Sequence, residues 1–281
     1  MNPYIAPAAL ALLRHYPLPR GRWRLLSALD AHYEANPVTR RARVAGGTRM
    51  LLDTADFLQR SLFLAGDFEP EVSACIQANL RPGDCFADLG ANVGFYTLMA
   101  ARCVGPEGRV FAFEPNPGTY AALCANVALN QFRQVTPVQL ALSDACGTAA
   151  LYADAAGNSG ASSLLPREAS GAPTTVRTMT WDEYAAQHAV PTPSLVKMDV
   201  EGFELHALRG MKGLLTAPNA PRFLIEVSEG SLRDAGGSRA ELEALMAEHG
   251  YVAQVISAVR QSNQPHHGGC VQYDALFVPR S

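Results

Sequence analysis

The 281-residue sequence is poor in the features that would tie it to a membrane, a metal or a nucleic acid. No apolar run approaches the ~20 residues of a membrane span. The stretch Ile5–Leu13 has no basic region before it and stops at Arg14, so it is not expected to act as a signal peptide. Six cysteines, at Cys75, Cys85, Cys103, Cys124, Cys146 and Cys270, contain no C-x-x-C pair. That scatter predicts a reduced, cytoplasmic protein with neither a disulfide frame nor a zinc site, with Cys85, Cys103 and Cys124 as small core residues. No G-x-x-x-x-G-K-[ST] loop is present, which excludes a P-loop. There is no internal repeat. A formal net charge of −3 argues against general nucleic-acid binding.

That small total hides an asymmetry. Residues 1–50 carry eight arginines (Arg14, Arg20, Arg22, Arg24, Arg40, Arg41, Arg43 and Arg49) against only Asp30 and Glu34. A basic N-terminal layer could meet an anionic glycan, a nucleotide-sugar, a partner or lipid headgroups, or simply form a solvated face. Length and an apolar fraction of 48% suit one large α/β domain with an added cap.

Periodicity divides the chain at about residue 80. Within 1–80, Trp23, Leu26, Leu29 and Tyr33 recur at helical spacing and predict an amphipathic helix over 21–34. A hairpin is expected over 44–53 around Gly46-Gly47, followed by helices over 57–64 and 70–80. From 81 to 281, strands and helices alternate, which predicts a mostly parallel sheet of seven strands with helices on both faces. The strands are expected at 85–89, 109–113, 136–141, 194–200, 222–228, 251–256 and 273–279. The helices are expected at 94–103, 117–129, 202–215 and 238–249. Between 144 and 182 the pattern breaks into a stretch rich in Gly, Ala, Ser and Pro, flanked by strand-like 149–151 and 176–178. A loop of that length is expected to be a lid or disordered.

The most informative segment is Asp88-Leu89-Gly90-Ala91-Asn92-Val93-Gly94. It joins the strand at 85–89 to the helix beginning near 94, the first half of a nucleotide-binding βαβ unit. Glycines there allow a ligand close to the backbone, and the helix N-terminus offers unpaired N–H groups. Glu114 lies 20 residues past Gly94 at the end of the second strand, the station for an acceptor of both ribose hydroxyls of an adenosine. A dinucleotide turn reads G-x-G-x-x-G, whereas this one reads Gly90-x-Asn92-x-Gly94 after Asp88. An acidic residue at the strand end suits a ligand bearing an ammonium, as S-adenosylmethionine does. The reading is therefore a class I, Rossmann-like methyltransferase core. An NAD-dependent oxidoreductase and a non-catalytic cofactor-binding scaffold stay open beside it.

The second segment is Lys197-Met198-Asp199-Val200-Glu201-Gly202-Phe203-Glu204. Lys197, Asp199 and Glu201 share one side if the strand persists, and a charged trio in an interior strand needs partners or a chemical task. An ion pair of Lys197 with Asp199 that only holds the strand end is one such account; a place beside the sulfonium or the acceptor hydroxyl is the other.

Together these motifs resemble the FkbM-type S-adenosylmethionine-dependent methyltransferases, over roughly Arg49 to Val227. The resemblance is carried by Gly66-Asp67-Phe68-Glu69-Pro70, by Asp88–Gly94 with Phe95-Tyr96-Thr97, and by Phe113-Glu114-Pro115-Asn116. It continues through Asn126 with Asn130, Ala141-Leu142-Ser143-Asp144, Lys197–Gly202 with Glu204, and Ile225-Glu226-Val227. Trp181-Asp182 departs from the Leu-Asp common in that family. The resemblance implies an O-methyltransferase for a hydroxyl of a sugar, glycan or natural product. It implies that Asp88, Gly90, Asn92 and Gly94 cradle the methionine part, that Glu114 holds the ribose, and that Leu142, Ser143 and Asp144 lie near the adenine. Glu69 is expected at the cofactor or the substrate mouth.

An alcohol is a poor nucleophile at neutral pH, so its proton must be taken by a base or its oxygen polarised by a metal. The favoured bases are Asp199, Glu201 and His206, without metal. The runner-up is Mg²⁺ held by Asp199 and Glu226. His266-His267 read as a solvated loop.

Overall fold

The computed structural model describes residues 19–152, 164, 172–257, 260–261 and 270–280. Most of the Gly-, Ala-, Ser- and Pro-rich stretch over 155–175, the expected lid, lies outside these residues, as do Ile5–Leu13 and His266-His267.

The N-terminal layer holds helix α1 (Pro19–Ala35), a hairpin of β1 (Thr39–Arg43) and β2 (Arg49–Asp53), then α2 (Phe57–Ala65) and α3 (Pro70–Asn79). The hairpin starts five residues earlier than its sequence suggests. Val44–Gly47 make the turn instead of the first arm, because Gly46 and Gly47 take φ of 73° and 74°. Helix α2 begins where the Asp56 side chain accepts the Gln59 N–H and ends at Gly66 in the left-handed region.

The main sheet contains β3 (Cys85–Leu89), β4 (Arg109–Phe113), β5 (Val135–Val138), β9 (Leu195–Met198), β10 (Arg222–Ser228), β11 (Tyr251–Val255) and β13 (Val271–Pro279), with the short β12 (Arg260–Gln261) beside β13. Their spatial order is β11-β13-β10-β9-β3-β4-β5. β13 runs antiparallel to both of its long neighbours, while β10, β9, β3, β4 and β5 pair in parallel. This is the mostly parallel, seven-stranded, Rossmann-like sheet expected, with the second charged strand beside the first.

Alternate residues feed two cores. Phe86, Val110, Leu195 and Leu224 pack with Leu29, Met50, Leu62 and Ile76 of the N-terminal layer and with helices α4 (Phe95–Val104) and α5 (Pro117–Asn130). Ala87, Phe111, Val196 and Phe223 pack with α6 (Trp181–His188), α7 (Glu204–Arg209), α8 (Lys212–Leu215), α9 (Glu229–Asp234) and α10 (Arg239–Glu248). The N-terminal layer thus shares a hydrophobic core with the sheet. Burying apolar area at about 25 cal/mol per Å² is what holds it there.

Three expected elements are corrected. The strand expected at 136–141 ends at Val138, with Pro137 on an edge strand that tolerates it. Ala141–Leu142 (β6) instead joins β8 (Thr174–Met179), which pairs antiparallel with β7 (Gly147–Leu151) in a separate three-stranded sheet. The helix expected over 202–215 is broken at Gly210, where any Cβ would overlap the Ser143 carbonyl oxygen. The Gly210 carbonyl accepts the Asp182 N–H rather than continuing a helix. The strand at 194–200 stops at Met198, so Glu201 leaves it in a left-handed conformation with φ 54°. Helices α6 and α9 are not among the expected elements, although Thr180-x-x-Glu183 has capping-box spacing and the Thr180 side chain accepts the Glu183 N–H at the start of α6. Cys85 is buried as expected, but Cys103 and Cys124 are only half-buried. No helix among the described residues is long and apolar enough to cross a membrane.

Candidate active site

A cavity of about 340 Å³ opens at the carboxyl ends of β3, β4, β9 and β10, under the N-terminal layer. One end is formed by the turn after β3. Gly90 has φ 75°, and a Cβ there would overlap the Asp199 carbonyl oxygen, so only glycine lets the two strand ends meet. Glu114, at the end of β4, grips this turn. Its Oε2 accepts the Asn92 N–H at 3.0 Å and its Oε1 accepts the Asn116 N–H at 2.8 Å. Burial pushes the Glu114 carboxyl up to about 7, against the pull of those two amides. Asn126 holds the turn from behind, donating to the Val93 carbonyl at 2.9 Å while accepting the Leu51 N–H of β2 at 2.7 Å.

The other end is a carboxylate cluster. Glu69, Asp199, Glu201 and Glu226 all line the cavity. Lys197 is buried beside them, 3.0 Å from Asp199 Oδ2 and 5.0 Å from the centre of the Tyr96 ring. Burial alone would lower its pKa, but Asp199 and Asp88 outweigh that and hold the ammonium above its usual value. Tyr96 donates from its hydroxyl to the Phe68 carbonyl at 3.0 Å and to Glu69 Oε2 at 3.1 Å, which ties the N-terminal layer to the strand ends. Glu226 accepts Gln272 Nε2–H at 2.6 Å. Burial first, then Asp199 and Glu201, push its carboxyl well above the usual range. The wall opposite is apolar, from Phe57, Leu58, Leu62 and Phe68.

Of the residues singled out in the sequence, Glu69, Gly90, Asn92, Glu114, Leu142, Asp199, Glu201 and Glu226 are brought together around this cavity. Asp88, Gly94, Ser143, Asp144 and His206 are not among the lining residues. Asp88 is fully buried beneath the turn: Oδ2 accepts Thr97 Oγ1–H at 2.5 Å, Oδ1 has no hydrogen-bond partner, and burial raises its pKa. Gly94 starts α4 and abuts Leu123. His206 faces away, with Nδ1 3.0 Å from Asp144 Oδ2, and stacks on Phe203, which does line the cavity. The His206 hydrogen bond lowers the Asp144 carboxyl, and Ser143 donates to the same residue at 3.2 Å. Arg40, Arg41, Arg43 and Arg49 are exposed on the hairpin, and none of them is among the residues lining the cavity. Lys197 stands in the cavity with Asp199 and Glu201, as the charged trio of its segment suggests, whereas Tyr96 on α4 and Gln272 on β13 carry no sequence signal that separates them from core residues.

No group of three or more His, Cys, Asp or Glu arranged to hold a metal occurs among the described residues. Two carboxylates that could contribute to one, Asp199 and Glu226, line the same cavity.

A family model described as the methyltransferase FkbM domain matches residues 88–253, beginning at Asp88 rather than at Arg49. The hexuronic acid methyltransferase AglP of Haloferax volcanii is 28% identical over 179 residues, covering 63% of this chain and 70% of that protein. The 31-O-demethyl-FK506 methyltransferase FkbM of Streptomyces tacrolimicus is 29% identical over 202 residues, covering 61% and 74%. Among solved structures, a SAM-dependent methyltransferase from Aquifex aeolicus aligns with 15% identity and a TM-score of 0.39, covering 75% of this chain and 90% of that one.

Proposed function

We propose that this chain, which belongs to the methyltransferase FkbM family, transfers a methyl group from S-adenosylmethionine to a hydroxyl of a sugar, glycan or natural-product acceptor. The carrying observation is that Glu114, locked to the glycine turn, shares one cavity with the carboxylates at the ends of β9 and β10. The relatives' own acceptors, a hexuronic acid and a demethylated FK506, are in keeping with oxygen as the methyl acceptor.

The residues fit such a cofactor. The Gly90 cradle leaves room where any Cβ would collide, and Glu114 keeps acceptor capacity beyond its two backbone bonds, suited to two ribose hydroxyls. Gly90 and Asn92 would lie along the methionine part and Leu142 against the adenine. Asp88 would act from below, through Thr97 and Lys197, by fixing the turn. When bound, the cofactor supplies a methyl group on a good leaving group, so the protein mainly has to align the acceptor oxygen and take its proton. Asp199 and Glu201 are the proton acceptors in this reading. Lys197 orients Asp199, and the apolar wall keeps water from the reacting oxygen. His206, paired with Asp144 outside the cavity, has no part as a base in this reading.

A Mg²⁺-assisted variant would use Asp199 and Glu226 to polarise the hydroxyl, since both line the cavity. Loss of turnover with a chelator, restored by Mg²⁺, selects it. The deciding test of the cofactor is calorimetric titration with S-adenosylhomocysteine and with NAD. Binding of the sulfur ligand alone is expected; preference for NAD would overturn the reading in favour of an oxidoreductase.

A further inference from the structure

Resting on the methyltransferase reading above, we propose that the acceptor is an uncharged polyol and that Glu201 selects against acceptors carrying a carboxylate or phosphate near the methylated oxygen. Four carboxyl side chains, Glu69, Asp199, Glu201 and Glu226, line the cavity. Lys197 is the one cationic side chain among its described lining residues, and that charge is already engaged by Asp199 at 3.0 Å. No arginine of the basic hairpin reaches the cavity.

Carboxylates are hydrogen-bond acceptors without donors, so they recognise O–H groups and oppose other acceptors of negative charge. A sugar ring with several free hydroxyls can donate to them while its C–H face lies on the apolar wall of Phe57, Leu58 and Phe68. The cavity's own chemistry gives a measure of this. The Glu226 carboxyl is held well above its usual range by burial and by its acidic neighbours. A site that resists ionising one of its own carboxyls would meet an incoming carboxylate with the same resistance. In this respect the chain would part from the hexuronic acid methyltransferase of Haloferax volcanii, whose named substrate is an acid.

The test is methyl transfer from radiolabelled S-adenosylmethionine to two matched pairs, methyl α-glucoside with methyl α-glucuronide and methyl α-galactoside with methyl α-galacturonide. Calorimetry with S-adenosylhomocysteine runs alongside. The neutral member of each pair should show kcat/KM higher by at least about tenfold, because like charges brought together in an enclosed site repel. Glu201→Gln should shrink that ratio, whatever it does to kcat, since a catalytic loss would fall on both members alike. Equal or better use of the uronides overturns the proposal, as does a ratio that Glu201→Gln leaves unchanged. Transfer to neither member of either pair, with S-adenosylhomocysteine still bound, overturns it while leaving the cofactor reading intact. Failure to bind S-adenosylhomocysteine would overturn the methyltransferase reading, and this inference with it.

Discussion

Glu114 Oε2 accepts the Asn92 N–H at 3.0 Å, so the carboxylate at the end of one strand fixes the glycine turn at the end of its neighbour. Asn92 can offer that N–H only because it holds a left-handed conformation with φ 48°, which asparagine tolerates better than most residues. Glu114→Ala should therefore both loosen the turn and remove the ribose acceptor. Hydrogen bonds to charged groups are worth ~1.5–3 kcal/mol, so affinity for S-adenosylhomocysteine should fall about tenfold to a hundredfold. Calorimetric titration of the variant checks this, and an unchanged dissociation constant would contradict the assignment.

His206 and Asp199 should separate cleanly in kinetics. His206→Ala removes a group paired with Asp144 outside the cavity and should leave kcat within about threefold. Asp199→Asn should lower kcat by roughly 10²–10⁴, the usual range for loss of an acid–base group. Initial-rate measurements with an acceptor bearing the free hydroxyl distinguish them; the reverse order of effects would restore the histidine as base.

Much of the site could be read from sequence because its chemistry is local. The turn between β3 and α4 contains its own glycines, and Glu114 falls at a spacing set by one βαβ unit. What could not be read was decided at a distance. Val138–Leu142 is apolar but for Gln139, and only β8, whose Thr178 and Met179 pair with Ala141 and Leu142 from 37 positions later, divides it between two sheets. The break at Gly210 is set by the Ser143 carbonyl, and His206 is turned from the cavity by Asp144, 62 positions before it. Glu226 was legible as a strand-end carboxylate. Its place in an acidic cluster depends on two other segments, the start of α3 and the turn after β9, meeting over it, and periodicity carries no record of that.

Arg60 should prove to be the anchor of the N-terminal layer. It is buried, with Nε 2.8 Å from Asp30 Oδ1 and Nη1 2.9 Å from the Thr54 carbonyl, joining α1 to α2. Arg60→Ala leaves that buried carbonyl unpaired and a void behind it, and should cost about 2–4 kcal/mol. Denaturant unfolding gives the number directly; a loss under 0.5 kcal/mol would show that the layer is held by apolar packing alone.

Stability should also carry a pH signature. Burial raises both Glu114 and Glu204 to about 7 from an ordinary 4.5. Between those values the unfolded chain has released protons that the folded chain still holds, so unfolding becomes easier as pH rises and levels off above about 7. The Tm of ligand-free protein should decline across this window. Glu204→Gln keeps an acceptor for the Val200 and Gly202 amides and should flatten part of the slope. A wild-type Tm that climbs from pH 5 to 7.5 would refute this account.

Asn126 and Asn130 meet β2 through its main chain alone, at the Leu51 N–H and at the Arg49 N–H and carbonyl. Both asparagines lie inside the segment shared with the family, whereas the hairpin they hold lies before it. An attachment of this kind is indifferent to side-chain identity. The covering hairpin can therefore be rewritten, residue by residue on its exposed face, without coming loose from the catalytic body. Change in the cover and constancy in the machinery beneath it are thereby made compatible.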